Sequence, residues 1–253
     1  MRRLALVLAL AAVPTAFAPR AARAEDAPAT DAAGQIKALI AEIDAAEKAK
    51  DEGALSSAVK KAPPLYKGTQ DSAAKSSLMK AVAGVVKQSK MTTARKDAMA
   101  ALVETEDGKE AWKHIQSAYP DDDAEDETRW NVDFVKALGA LHPDAAIDRL
   151  LDTFRKAKQN DLSAAAVTAC GGYHKSKQRE RILEEIVKAG KNMAPARSTT
   201  KNVSQEQQAR WAAIEGPIGK ALDQLTGDAV GNAAEWFKRF DENKKNLKAL
   251  FKD

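Results

Sequence analysis

The chain has 253 residues, room for one or two domains. With 44% hydrophobic and 30% charged residues it has the balance of a soluble protein with a real core, which excludes a disordered or low-complexity polymer. Its 40 Lys+Arg against 36 Asp+Glu give a formal charge of +4.

That excess sits at the N-terminus. Arg2 and Arg3 precede an unbroken apolar run, Leu4 to Ala12, closed by Pro14, and Ala22-Arg23-Ala24 forms a small-x-small cleavage signature before Glu25. This is the layout of an export signal peptide over residues 1–24, cut between Ala24 and Glu25. The apolar run falls short of the roughly 20 residues that a membrane span needs. The segment holds Arg2, Arg3, Arg20 and Arg23 and no acid, so the expected mature chain carries 36 charges of each sign. Its neutrality removes the argument for nucleic-acid binding that a basic pI would make. Cys170 is the only cysteine, so neither an internal disulfide nor a lipid anchor at a cysteine after the apolar run is expected. No further apolar stretch reaches transmembrane length. The expected location is the periplasm or the exterior.

Residues 25–34 are small, polar and Pro-containing and read as a flexible leader. Beyond them apolar residues recur at spacings of three and four, the period of helices. Ile36, Leu39, Ile40 and Ile43 share one face. Leu55 and Val59 mark a shorter helix, stopped by Pro63-Pro64. Leu78 to Val86 line a third, Thr92 to Glu104 form a fourth, and Asp107-Gly108 breaks it. Trp112, Ile115 and Tyr119 stripe the next, up to Pro120; Trp130 to Leu141 follow, stopped by His142-Pro143. Ile147 to Phe154, Leu162 to Cys170 and Ile182 to Val187 complete the series, the last two ended by Gly171-Gly172 and Gly190. Ala, Leu, Lys and Glu supply the propensity, and alternating β-branched runs are nearly absent, so the fold class is all-α.

The helices pair, and the pairs repeat. First helices begin near Ile36, Ser72, Asp107, Pro143 and Ser176, a period of about 35 residues, which suits stacked helix pairs. Val135-Lys136-Ala137-Leu138-Gly139 superposes on Val167-Thr168-Ala169-Cys170-Gly171, with Ala100-Ala101-Leu102 in the corresponding place one repeat earlier.

The run from Val135 to Leu151, in which a small-residue helix ends in Leu138-Gly139, a Pro143-Asp144 turn follows and Ala146-Ile147 opens the next helix before Leu150-Leu151, resembles the junction of bacterial HEAT-like repeats. Thr93 to Leu102 looks like the second helix of that unit, and Leu222-Asp223-Gln224-Leu225-Thr226-Gly227 followed by Trp236 is similar to the way many secreted HEAT-like proteins end. The resemblance covers most of 72–253 and is strongest over 92–190. It implies a right-handed α-α superhelix of HEAT-like repeats over 35–229, with a polar insertion at 191–204 that has no counterpart, and a C-terminal amphipathic helix over 230–253 that caps the array. The alternative is a tetratricopeptide-like solenoid, whose ordered Trp, Leu-Gly, Tyr and Pro pattern is not found.

Site chemistry is sparse. Cys170 aligns with Leu138 and reads as a core thiol. His114, His142 and His174 fall at repeat ends or surfaces without ligand spacing, so no zinc site is expected. The acidic run Asp121 to Glu127 fails the calcium-loop template, with Asp126 where Gly is required, and suits a helix N-terminus. Basic residues gather from Arg155 to Lys201 among intervening acids, which reads as solvated helix faces. Trp112, Trp130 and Trp211 lie on apolar stripes and read as core. No catalytic residue, cofactor site or metal site is assigned. The expected function is an exported scaffold that binds a protein partner, without catalysis. The alternatives are an enzyme or cofactor-handling accessory of the tetrapyrrole-lyase-like HEAT type, and a passive envelope component.

Overall fold

The computed structural model describes residues 30–120, 128–195 and 204–252. The cleavage site at Ala24–Glu25 and the acidic run Asp121 to Glu127 therefore lie outside the described residues, as do residues 196–203 of the polar insertion.

Among the described residues regular structure is helical throughout. The elements are α1 (Thr30–Ala49), α2 (Glu52–Val59), α3 (Ala62–Gly68), α4 (Ser72–Gln88), α5 (Thr92–Glu104), α6 (Gly108–Ile115), α7 (Thr128–Leu141), α8 (Ile147–Lys156), α9 (Asn160–Gly171), α10 (Arg179–Met193), α11 (Gln205–Thr226) and α12 (Ala233–Asn243), with short 3-10 turns at Gln116–Ala118, Asp144–Ala146 and Leu247–Leu250. No described helix is long and apolar enough to cross a membrane.

Local chemistry sets the helix starts. Asp51, Asp71, Asp107, Ser204 and Asn232 each precede a helix in non-helical backbone and accept a hydrogen bond from one of its orphan N–H groups, at 2.9 Å for Ala54 N and 2.7 Å for Glu235 N. Gly227 closes α11 in the left-handed region at φ 75°, where glycine has no Cβ to clash. Several boundaries differ from the sequence reading. α1 begins at Thr30, inside the segment expected as a flexible leader. Pro63-Pro64 do not merely stop α2. They occupy the first turn of α3, where a proline's missing N–H has no partner to lose. The expected single C-terminal helix divides: α12 ends at Asn243, and a 3-10 turn follows after Lys244 to Asn246.

The helices touch in two rows. In one, α1 packs on α4, α4 on α6, and α8 on α10; α6 reaches the α8 unit through the Asp144–Ala146 turn. In the other, α2 packs on α5, α5 on α7, α7 on α9 and α9 on α11. Each helix of the first row also touches its sequence partner in the second, as α4 does α5 and α8 does α9. The buried side chains between them form one cluster running from Ile36 to Leu250.

Hydrogen bonds tie neighbouring helix pairs. Tyr66 donates to Asp107 at 2.6 Å, 41 residues away; Ser76 to Glu110 at 2.7 Å, 34 away; Tyr119 to Thr153 at 2.9 Å, 34 away; Ser176 to Asp144 at 2.8 Å, 32 away. Asp107 thereby caps α6 with one carboxylate oxygen and anchors the preceding pair with the other.

Glycines set the closest approaches. A Cβ on Gly139 would lie 2.7 Å from Ala169 Cα, and one on Gly171 2.9 Å from Ala221 Cα. The two residues aligned in the sequence thus make the same contact with the next second-row helix. Gly190, expected as a helix end, lies inside α10, which continues to Met193. A Cβ there would meet the Phe237 ring at 2.7 Å, so the glycine seats α12.

The last residues close on α11. Asp223 accepts from the Trp236 indole N–H at 2.7 Å and from the Val230 backbone N–H at 2.9 Å, and Lys252 N donates to Thr226 O at 2.7 Å. Trp236 and Phe240 are buried.

The glycine contacts set opposite expectations for one substitution. A Cβ on Gly84 in α4 would meet nothing within 4 Å, so Gly84→Ala should stabilise by about 1 kcal/mol through helix propensity alone. Gly139→Ala gains the same propensity but forces α7 off α9, an overpacking cost of about 1–3 kcal/mol. Urea denaturation should show Gly84→Ala more stable than the parent and Gly139→Ala less so.

Candidate functional site

The turns between pairs bring together the polar side chains that the helix seams do not use. α7 ends at Leu141, and His142 follows with its N–H bonded to Leu138 O at 3.0 Å and its backbone in the left-handed region, φ 50°. Pro143 cannot continue the helix. Glu106 follows α5 in the same way, with φ 60°, at the position matching His142 when Leu102 is aligned with Leu138.

The two neighbouring turns press against this one. Gly108 opens α6 so close to α7 that a Cβ would lie 1.9 Å from Leu141 O, which carries Lys109 and Trp112 to the flank of His142. Gly172 follows α9 with room for no Cβ: it would lie 2.2 Å from Gly139 O and 2.8 Å from His142 Nε2. Tyr173 is buried, its hydroxyl donating to Pro143 O at 3.2 Å. Its ring meets His142 edge-on with centroids 5.6 Å apart, and His142 meets His174 edge-on at 6.4 Å. The open cleft between them measures about 570 Å³, with Lys109, His142, Asp144, His174, Lys175 and Ser176 lining it alongside Trp112, Pro143, Ala145 and Tyr173.

The electrostatics of the cleft are lopsided. Lys109 and Lys175 oppose the single carboxylate of Asp144, one of whose oxygens accepts the Ser176 hydroxyl. Desolvation, then the nearby His174 and Lys175, hold His142 below its ordinary pKa of 6.5.

The histidines, scattered along the sequence, are therefore partly gathered. His142 and His174 meet, while His114 stands apart and contacts Glu110 at 3.0 Å. A sequence signal for this existed. His142 and His174 each lie four places after the aligned Leu138 and Cys170, so they occupy matching positions in the two aligned segments. Among the described residues no group of three or more His, Cys, Asp or Glu side chains is placed to hold a metal.

Cys170 is buried to 1% exposure, and burial pushes its thiol up to about 12. The thiolate that nucleophilic chemistry requires is suppressed there. The basic residues after Arg155 are largely engaged: Arg155 with Asp152 and Glu185, Arg181 with Asp148, Lys188 with Glu184, Lys191 with Asp241. Arg197 and Lys201 lie outside the described residues. Trp112 and Trp130 are core residues, whereas Trp211 is only partly buried and lines a second cleft of about 680 Å³ with Phe237 and Pro195.

Comparison with known proteins gives no match to a family model, to a curated protein or to a solved structure.

Burial and titration set what can be measured at this edge of the fold. Cys170 should resist thiol reagents until the protein unfolds, and Cys170→Ala should cost about 1 kcal/mol, the scale of a small cavity; labelling rates across a urea series report both. The lowered pKa of His142 means that the unfolded chain binds the proton more readily. Its contribution to stability is present above about pH 6.5 and is lost as pH falls through the folded value. In His142→Gln this part of the acid dependence should vanish from denaturation midpoints measured between neutral and mildly acidic pH.

Proposed function

We propose that the chain is a HEAT-like helical-repeat scaffold, a right-handed α-α superhelix exported to the periplasm or beyond, and that it binds a protein partner rather than catalysing a reaction. The observation that carries this reading is the ladder of helix contacts, α2 to α5 to α7 to α9 to α11, cross-tied by side-chain bonds about one repeat apart. Stacked pairs of this kind bury their apolar faces against each other and leave an extended polar surface for recognition. The buried, protonated Cys170 supports a structural rather than nucleophilic role. The leader sequence up to Ala24 supports export, with a mature chain starting at Glu25. In this reading α12 and the turn after it cap the last pair, which fits the burial of Trp236 and Phe240 and the Lys252–Thr226 bond.

The test is recovery of the protein from its native compartment by mild cross-linking and affinity capture, followed by mass spectrometry. The expected result is a chain beginning at Glu25 together with a stoichiometric protein partner. A chain retaining Met1 would sink the export reading; a co-purifying chromophore or substrate turnover with no protein partner would sink the scaffold reading.

A further inference from the structure

The cleft between the turns at Gly108, His142 and Gly172 has a chemistry of its own. We propose that it is a binding site for a carboxylate carried on an apolar body, with Lys109 and Lys175 attracting the anion, His142 and His174 bordering it, and Trp112 and Ala145 receiving the apolar part. The inference is separate from the partner-binding reading and stands on the cleft alone.

Three observations carry it. The first is charge: two lysines from different turns face one aspartate, whose carboxylate is already engaged by the Ser176 hydroxyl at 2.8 Å. An anion entering the cleft meets net positive charge, and ammonium–carboxylate bonds are among the stronger hydrogen bonds available to a protein.

The second is the wall. Trp112, Pro143, Ala145 and Tyr173 line much of the cleft, and the Tyr173 hydroxyl is spent on Pro143 O. Tyr173, 1% exposed, therefore backs the cleft and offers no free donor, and the apolar surface within reach belongs to Trp112 and Ala145. A bare inorganic anion would leave this apolar surface uncovered, whereas an organic carboxylate buries its own apolar surface there. The volume, about 570 Å³, suits a ligand or side-chain pair of modest size.

The third is the backbone. His142 stands at φ 50°, where glycine is the ordinary occupant, and its ring rests over Gly172 with no space for a Cβ between them. The imidazole is held in the cleft by a backbone that disfavours any side chain there, and its partner across the cleft occupies the matching position in the aligned segment.

The ligand carboxylate has two sources, a free small acid or an acidic side chain of a bound protein, and the test separates them. The full chain without residues 1–24 is titrated by NMR on the histidine ring protons, with His114 as internal control. The probes are N-acetyl-phenylalanine, its neutral amide, inorganic phosphate, and a terminally blocked Phe-Glu peptide. Saturable shifts of His142 and His174, with His114 unmoved, are expected for the acid or the blocked peptide. Binding of the acid alone indicates a free carboxylate ligand, and stronger binding of the peptide indicates a protein side chain. The double variant Lys109→Gln/Lys175→Gln, both exposed sites, should bind about tenfold more weakly while keeping its melting temperature. Equal shifts with the neutral amide overturn the anion assignment. Equal shifts with phosphate overturn the apolar assignment. No shift with either carboxylate probe, or unchanged affinity in the double variant, overturns the site.

Discussion

The architecture depends on how closely the second-row helices approach one another. α7 meets α9 at Gly139 and Ala169, and α9 meets α11 at Gly171 and Ala221; in each case a hydrogen on one side faces an alanine on the other. With backbones that near, the larger residues on either side of the seam, Leu138 and Cys170 among them, are driven inward to full burial. The same approach draws the turns together. Gly172 can sit beneath His142 only because α9 already lies against α7, and the cleft exists because three turns crowd at one edge. Small residues in the second row therefore fix both the core and the position of the surface chemistry.

Much of this was written in the amino-acid pattern. Thr92–Glu104 is delimited at both ends as expected, because its alanine stripe is bounded by polar residues that do not extend it. Gly139 and Gly171, aligned in the sequence, each lie close against an alanine of the next second-row helix. What local pattern did not reveal is where a punctuating residue serves packing instead. Pro63-Pro64 begin a helix, and Gly190 lies within one, because a proline is as acceptable in a first turn as after a last turn and a glycine accommodates a neighbouring ring as readily as a turn. The cleft was illegible for a related reason. Its lining comes from three turns, and the gathering of His142 with His174 follows from the packing of α9 on α7, which a search for ligand spacing along one segment does not detect.

The helix ends also carry more than their own caps. Asp107 receives the Tyr66 hydroxyl while holding the start of α6, and Asp223 holds Val230, Gly231 and the Trp236 indole together at the end of α11. One carboxylate in each place joins two structural units. Asp107 lies among charged neighbours in the sequence and Asp223 between apolar and neutral ones, and neither looks different from a solvated acid, yet each one's removal would strand several donors at once.

The distances along the chain that these contacts bridge have a kinetic meaning. The bonds between adjacent pairs span from 30 residues at Tyr173–Pro143 to 56 at Arg210–Phe154, in a chain of 253. Closing loops of that length is entropically modest and differs little from one pair to the next. Topologies dominated by such near-neighbour contacts fold quickly. A polypeptide delivered end first, from a ribosome or through a translocation pore, can begin to fold once two adjacent pairs are free, without waiting for its far end.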